Sequence, residues 1–179
     1  LVVYQHPWAV TLYAATASGT IFNATASLTA ASVVATVYTT GRWEWVNFTP
    51  AGASTVIQFV NGTDTLQQIS GTVITSVSVT GLSVVTSTST TAVFTNIAAI
   101  KRRLWYVVRN STIAYFMPTD AITGAVAGYQ DFGALWNKGG YLVDIGQWTI
   151  DGGSGPEDYT VFISSQGQLA VFTGVDPTT

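Results

Sequence analysis

The side chains able to do catalytic chemistry are few in this chain, and their spacing does not suit catalysis. The single histidine, His6, stands directly before Pro7, and no Gly-x-Ser-x-Gly sequence is present. A serine-hydrolase elbow and triad are therefore not predicted. The neighbouring carboxylates Glu157 and Asp158 would point to opposite faces of a strand, whereas a glycosidase needs two carboxylates across one cleft. The sequence predicts a solvated turn there, and a protein that is not an enzyme.

Metal and phosphate sites are also not predicted. The chain has no cysteine, and with one histidine it lacks the spacing of a zinc site. The loop at residues 151–158 offers oxygen ligands, but it lacks the alternating acidic positions of a calcium loop. Lys138 precedes its glycines, the reverse of a phosphate-binding loop. We expect no metal and no cofactor.

A short basic run is the remaining candidate for binding chemistry. Lys101, Arg102 and Arg103 are consecutive and could contact phosphates of DNA or a partner. The alternative is a strand start whose charges keep an edge soluble. The net charge of −3, from nine acidic and six basic residues, opposes strong nucleic-acid binding. We expect at most transient, non-specific contact with DNA.

The elements that would position these residues are strands. Of 179 residues, 47% are hydrophobic and 8% are charged; β-branched residues are frequent, and helical spacing of apolar residues is absent. Hairpin turns are predicted near Gly19, Gly62, Ser111 and Gly167, so the steps between them are 43, 49 and 56 residues. Such a recurrence is typical of four-stranded propeller blades, although an all-β sandwich also has regularly spaced short strands. We predict an all-β fold of antiparallel propeller blades.

The organisation along the chain divides at about residue 95. Residues 1–95 are predicted to form β-rich blades with a Thr- and Ser-rich stretch at 71–95, in which Gly81 marks a turn between two strands. Residues 96–179 are predicted to form further blades. No run of eighteen apolar residues occurs, so no membrane span is expected. The first residue is not methionine and no signal pattern precedes a strand, which predicts part of a larger propeller protein.

Three stretches in order resemble one protein family. They are IAAIKRRLWYVVRNSTIAYFMPTDAITG, LWNKGGYLVDIGQWTIDGG and GPEDYTVFISSQGQLAVFTGVDP. Together, over about residues 96–177, they resemble the β-propeller tail nozzle or tail-hub proteins of short-tailed bacteriophages, also called packaged-DNA stabilisation proteins. The fold-carrying positions of the resemblance are Trp105, Tyr115, Pro118, Gly139, Gly140, Trp148, Asp151, Phe162 and Gly174.

The resemblance implies a structural protein of the virion tail, assembled in the cytoplasm of the bacterial host. Copies of the chain would form a ring, contact the portal, the adaptor and other tail proteins, retain the packaged DNA and conduct it during ejection. Four aromatic residues are then either anchors between subunits or ordinary core residues. They are Trp43, Trp45, Tyr129 and Trp136.

A secreted or virion-surface adhesin or glycan-binding propeller is the alternative. Four Asn-x-Thr sequons accompany the high Thr and aromatic content, at Asn23, Asn47, Asn61 and Asn110. Chance sequons are expected in such a composition, and two of these asparagines lie where hairpin turns favour asparagine. The lack of cysteine argues against a small secreted domain.

Overall fold

The protein is all-β, as predicted. The computed structural model describes residues 2–6, 9–25, 32–35, 37–82, 90–151, 156–174 and 176–177. Within these ranges the chain forms strands and one 3₁₀ turn, Thr91–Val93, and no α-helix. Most strands belong to four antiparallel sheets, whose strands lie side by side in chain order except that one short strand is left out of the third sheet.

Sheets 1 and 2 each contain four strands in the order in which the chain makes them. Sheet 1 contains β1 (Val2–His6), β2 (Ala9–Ala15), β3 (Ile21–Asn23) and β4 (Ser32–Ala35). Sheet 2 contains β5 (Glu44–Phe48), β6 (Val56–Val60), β7 (Gln67–Ser70) and β8 (Val73–Ser76).

Sheets 3 and 4 continue the scheme, with one interruption. The short strand β9 (Val79–Thr80) precedes sheet 3, which contains β10 (Phe94–Ile100), β11 (Arg103–Val108), β12 (Ile113–Phe116) and β14 (Gly128–Asp131). Between β12 and β14, β13 (Gly124–Ala125) pairs in parallel with β9. Sheet 4 contains β15 (Leu142–Asp151), β16 (Pro156–Ser164) and β17 (Leu169–Phe172).

The four predicted hairpin turns occupy the same place in the four sheets, since each joins the second strand to the third. Gly19, Gly62 and Gly167 have φ between +72° and +82°, a region that glycine enters without steric cost. In the remaining turn Asn110, beside Ser111, takes φ +52°. A residue with positive φ therefore recurs in the turn between the second and third strands of each sheet.

The sheets stack face to face around three separate hydrophobic cores. Core 1–2 joins Tyr4, Tyr13 and Ile21 to Ile57, Phe59 and Ile69. Core 2–3 joins residues of β6 to β10, β11 and β12, and core 3–4 joins sheet 3 to Leu142, Ile145 and Phe162. Strand β11 divides its side chains by alternation: Leu104, Tyr106 and Val108 enter core 2–3, whereas Trp105 and Val107 enter core 3–4.

The first strands of successive sheets also contact one another, β1 with β5, β5 with β10, and β10 with β15. Strand β10 runs across residues 94–100, over the predicted boundary at 95, and the division into two parts stays a prediction. Gly81 has φ +82° after β8 and β9. Residues 83–89, where the second strand of the predicted pair would continue, lie outside the described ranges, so the turn between two strands stays a prediction. In the part of the chain that the structure describes, no helix has the length and apolarity needed to cross a membrane.

Candidate functional site

The basic run forms the tight turn between β10 and β11. Lys101 and Arg102 are its two central residues, with φ of +51° and +60°, and Ile100 pairs with Arg103 across the ladder. Two consecutive positive φ angles are the geometry of a type I′ hairpin turn, which usually takes Asn or Gly. All three cationic side chains of this turn form hydrogen bonds.

Arg102 binds the connector that follows β12. Its guanidinium forms an ion pair with Asp120, with Nε donating to Oδ1 at 3.2 Å. The backbone N–H of Asp120 donates to the carbonyl of Arg102 at 2.9 Å, and its Oδ1 accepts from the N–H of Ala51 at 3.2 Å. Asp120 therefore connects the basic turn of sheet 3 to a loop of sheet 2.

Lys101 and Arg103 face the other way, toward sheet 4. The ammonium of Lys101 donates to the carbonyl of Gly174, and Nη1 of Arg103 donates to the carbonyl of Met117. Both side chains line a cavity of about 130 Å³ between sheets 3 and 4. The basic run is therefore divided: Arg102 lies on the side of sheet 3 that faces sheet 2, whereas Lys101 and Arg103 lie beside this cavity.

The cavity has apolar walls and a charged rim. Trp105, Phe162 and Phe172 form its wall, and Thr160, Asp176 and Pro177 also line it. The rings interlock, with centroids 5.5 Å apart for Trp105 and Phe162 and 5.7 Å for Phe162 and Phe172. A space of this size accommodates a small flat group, and its rim carries charges of both signs, from Lys101 and Arg103 and from Asp176.

Three of the predicted fold-carrying residues meet at this cavity: Trp105, Phe162 and Gly174. Trp105 and Phe162 are buried, while Gly174 takes φ +97° and presents its carbonyl to Lys101. The sequence had assigned these residues to the fold, and it did not indicate that they share a cavity with two of the three basic residues.

The other predicted positions lie apart from one another. Tyr115 is buried in core 2–3, and Pro118 is exposed just after β12. Gly139 and Gly140, with φ of +67° and +94°, form the turn before β15. Trp148 is 57% exposed on sheet 4. Asp151 ends β15, and its side chain lies outside the described part.

The aromatic residues considered as subunit anchors divide between core and surface. Trp136 is buried against Phe132, with ring centroids 5.3 Å apart, and Trp43 and Trp45 pack at the edge of core 1–2. Tyr129 is 45% exposed. Trp136 is thus a core residue, and Trp148 is more exposed than any of these four.

The structure describes the side chain of only one of the two neighbouring carboxylates considered above, Asp158. Asp158 is exposed and accepts from Oγ1 of Thr149 at 2.5 Å. Hydrogen bonds from Thr149 and Gln147, with the charge of Lys101, lower the pKa of Asp158. No group of three or more His, Cys, Asp or Glu side chains is placed to hold a metal among the residues described. Three features considered above lie outside the described part of the chain: the side chain of His6, the side chain of Glu157, and residues 152–155 of the loop that was considered as a calcium site.

A buried polar network was missed by the sequence reasoning. Gln58, wholly buried in the middle of β6, accepts from the hydroxyl of Tyr106 at 2.7 Å. Its Nε2 donates to Gln68 at 3.1 Å and to the carbonyl of Ile122 at 2.6 Å. Burial raises the pKa of Tyr106 far above its usual range, so its hydroxyl stays a donor. The sequence did contain a signal for this network, because Gln58 is the central residue of the otherwise apolar run VIQFV.

The first strands of adjacent sheets are joined by polar side chains. Asn47 of β5 donates to the carbonyl of Val3 at 3.1 Å, and Asn96 of β10 donates to Oδ1 of Asp144 at 2.9 Å. Among the sequon residues, Asn47 is therefore engaged between strands, and the amide of Asn61 donates to Asp64 at 2.7 Å. These two asparagines have structural roles.

When the chain is compared with known proteins, no family model, no curated protein and no solved structure matches it. The assignment of function therefore depends on the residues, on the geometry described above and on the resemblance of the three sequence stretches.

Proposed function

We propose that the chain is a structural subunit of a bacteriophage tail, of the nozzle or hub type. The observation that carries the proposal is the repetition of one scheme, in which four successive antiparallel sheets stack face to face and their first strands contact in series. Four-stranded meanders that follow one another around an axis, first strand innermost, are the blades of a β-propeller. On this interpretation sheets 1 to 3 are three consecutive blades, and the three-stranded sheet 4 is part of the next.

The resemblance supports the proposal because its pieces correspond to whole structural units. The stretch from Ile97 to Gly124 forms most of sheet 3 and its connector, and the next stretch supplies β15. The last stretch supplies β16 and β17. Within the first, the Pro-Thr-Asp connector and the basic turn bind each other through Asp120 and Arg102, which explains why the two motifs would occur together.

The function is mechanical in this proposal. Copies of the chain form a ring below the portal and adaptor, hold the genome in the particle and let it pass on ejection. A conduit must not grip phosphates, and a wall with few cations achieves this. Asn47, Asn96 and Asp144 on the first strands supply neutral and acidic groups near the proposed propeller axis, while Lys101 and Arg103 are engaged beside the cavity.

Cryo-electron microscopy of the native particle that carries this chain tests the proposal. We expect a ring of propellers on the tail axis beneath the portal, from which the copy number is read directly. Density on a peripheral fibre, or the absence of the chain from a virion, would overturn the assignment.

A glycan-binding module is the second candidate, favoured by the aromatic cavity between sheets 3 and 4. Phe172, 39% exposed at its wall, offers a ring face for a sugar, and Lys101 and Arg103 suit an acidic one. An array of neutral and acidic glycans probed with the chain and with Phe172→Ala tests this function. Binding that is lost in Phe172→Ala supports it, whereas equal signals for both proteins contradict it.

A further inference from the structure

The hydroxyl of Thr160 is buried between sheets 3 and 4 without a hydrogen-bond partner in the described part of the chain. Thr160 lies two positions from Phe162 in β16, so both side chains are on the face of sheet 4 that is turned toward sheet 3. Thr160 is 6% exposed. A buried hydroxyl that has lost its bonds to water and gained none in the protein is costly, so this group is available to a ligand.

Thr160 lines the cavity of about 130 Å³ between sheets 3 and 4. The residues that follow β17 lie along the same cavity, and sheet 3 holds their backbone. Lys101 donates to the carbonyl of Gly174. Gln130 donates to the carbonyl of Pro177. Because the cavity is on the face of sheet 4 that is turned toward sheet 3, a further sheet packed on the opposite face would not reach it.

The volume and the walls of the cavity define the body of its occupant. An engineered apolar cavity of about 150 Å³ binds benzene, so a cavity of about 130 Å³ suits one ring and not two. Trp105 and Phe162 meet edge to face in its wall, with centroids 5.5 Å apart, and Phe172 is 39% exposed beside them. A flat aromatic ring extends this packing, since rings favour edge-to-face and offset contacts.

Arg103 supplies hydrogen-bond donors at the rim. Its Nη1 donates to the carbonyl of Met117 at 3.2 Å, and the other N–H groups of the guanidinium form no hydrogen bond within the described ranges. Arg103 also forms no ion pair with a carboxylate in those ranges. A guanidinium offers five donors and no acceptor, and the group that matches its planar fork is a carboxylate.

The other charges at the rim leave Arg103 as the cation for a ligand. Lys101 donates to the carbonyl of Gly174 and lies close enough to Asp158 for its charge to act on that carboxylate. Asp176 adds a negative charge to the rim and takes part in an interaction of its own. The positive and negative charges are therefore nearly balanced, and directed hydrogen bonds set the preference of the site.

We infer that the cavity between sheets 3 and 4 binds a small carboxylic acid with a single aromatic ring. The ring packs on Trp105 and Phe162, and the carboxylate accepts hydrogen bonds from Arg103 and from the hydroxyl of Thr160. Binding is reversible and involves no covalent step. This ligand differs from the sugar considered above, because the hydroxyl groups around a sugar ring find no partners on these aromatic walls. The site is additional to the mechanical role and does not depend on it.

Titration of the full 179-residue chain with benzoate at pH 7, followed by NMR of the tryptophan indole N–H signals, tests the inference. The signals of Trp105 and Trp148 are assigned by their loss in Trp105→Phe and Trp148→Phe. The Trp105 signal should shift and saturate, with a dissociation constant on the order of 1 mM for so small a ligand. Trp148, 57% exposed on the opposite face of sheet 4, is the internal control and should not shift.

The polar contacts are tested by changing the ligand and the protein separately. Benzamide keeps the ring and lacks the charge, so it should bind at least about 10-fold more weakly than benzoate. Thr160→Val keeps the shape of the side chain and removes the hydroxyl, and Arg103→Gln removes the guanidinium. Each should weaken benzoate binding about 10-fold. Thr75→Val, at an exposed position of β8, is the matched control and should bind as the wild type does.

Circular dichroism and the unfolding midpoint establish that each variant folds, and Arg103→Gln decides alone if Thr160→Val does not fold. The inference is overturned if about 20 mM benzoate, well above the expected dissociation constant, leaves the Trp105 signal in place or shifts Trp148 equally. Equal affinities for benzoate and benzamide, or unchanged binding in the folded variants, would also overturn it. A Trp105 shift with glucuronate and none with benzoate would assign the cavity to an acidic sugar instead. The position of the chain in a particle is decided by microscopy, so the two proposals fail separately.

Discussion

Tyr106 of sheet 3 donates its hydroxyl to Gln58 of sheet 2 at 2.7 Å, and both side chains are fully buried. This bond is a polar link between sheets 2 and 3 inside core 2–3, whose hydrophobic part consists of aliphatic and aromatic side chains. Gln58 cannot exchange the bond for one to water. The pair therefore joins the two sheets through a hydrogen bond that is shielded from solvent.

Tyr106→Phe should destabilise the protein while leaving the ring packing unchanged. Removal of the hydroxyl leaves a buried amide oxygen of Gln58 without this donor, which costs about 1–3 kcal/mol in the free energy of unfolding. Urea denaturation followed by fluorescence measures it. Tyr129→Phe, at a residue that is 45% exposed, is the control and should change little. Equal stabilities of the two variants would contradict a role for the bond.

Asp64 should make stability depend on pH in the acidic range. Burial alone would raise the pKa of Asp64, but hydrogen bonds from Asn61 and Thr39 outweigh it and hold the pKa below its usual value. Because the folded-state pKa is the lower one, the contribution of the carboxylate is present above the unfolded-state pKa and is lost as pH falls through the folded-state pKa.

The test is the free energy of unfolding of the wild type and of Asp64→Asn between about pH 2 and pH 6, a range that brackets the unfolded-state pKa of about 3.9. The advantage of the wild type should be greatest near pH 6 and should shrink toward pH 2. A difference that is constant over this range would show that the carboxylate charge is not responsible.

Alanine substitutions at Gly139 and Gly140 allow two costs to be separated: the cost of a positive φ for a residue with a Cβ, and the cost of crowding around that Cβ. Both have positive φ, but a Cβ on Gly140 would lie 2.6 Å from Oγ of Ser165 and 2.9 Å from Cγ of Gln166, whereas one on Gly139 would meet nothing within 4 Å. Each alanine substitution costs about 1–2 kcal/mol for its left-handed backbone, and Gly140→Ala should cost more.

Thermal unfolding of Gly139→Ala, Gly140→Ala and Gly146→Ala measures this difference. Gly146 has open space around a Cβ and no positive φ, so its alanine variant should be close to wild type. The expected order of destabilisation is Gly140→Ala, then Gly139→Ala, then Gly146→Ala. A Gly139→Ala variant as unstable as Gly140→Ala would refute the crowding of the β15 turn by Ser165.

Arg102 and Asp120 should differ in their effect on stability although they form one ion pair. The side chain of Arg102 is 64% exposed and that of Asp120 is 20% exposed, and Asp120 also accepts from Ala51. Arg102→Ala should therefore cost less than about 1 kcal/mol, as for an exposed pair. Asp120→Ala should cost more, since it also releases the loop of sheet 2 and replaces a residue at φ +60°.

Denaturation at low and high salt provides the measurement. The Arg102→Ala effect should diminish at high ionic strength, where an exposed pair is screened. The Asp120→Ala effect should persist, because the bond to the Ala51 amide does not involve a second charge. The reverse order of the two variants would indicate that the ion pair, and not the loop contact, is the larger interaction.

Local chemistry made much of the fold predictable from the sequence. The turns at Gly19, Gly62 and Gly167 need positive φ, and such needs are expressed within a few residues. Strand identity is equally local, since β-branched and aromatic runs suit a pleated surface wherever they lie. The all-β class and the four recurring hairpins followed from these features.

Long-range packing decided what those strands do. Trp105 and Trp148 both stand in strands of similar composition, yet Trp105 is 5% exposed between two sheets and Trp148 is 57% exposed at the end of the stack. The basic run looked like one patch, whereas the structure directs Arg102 to Asp120 and turns Lys101 and Arg103 toward a cavity. The sequence by itself determined where the chain turns and which residues form strands. The order in which the sheets cover one another, which no local pattern encodes, decided which side chains are buried and which stay exposed.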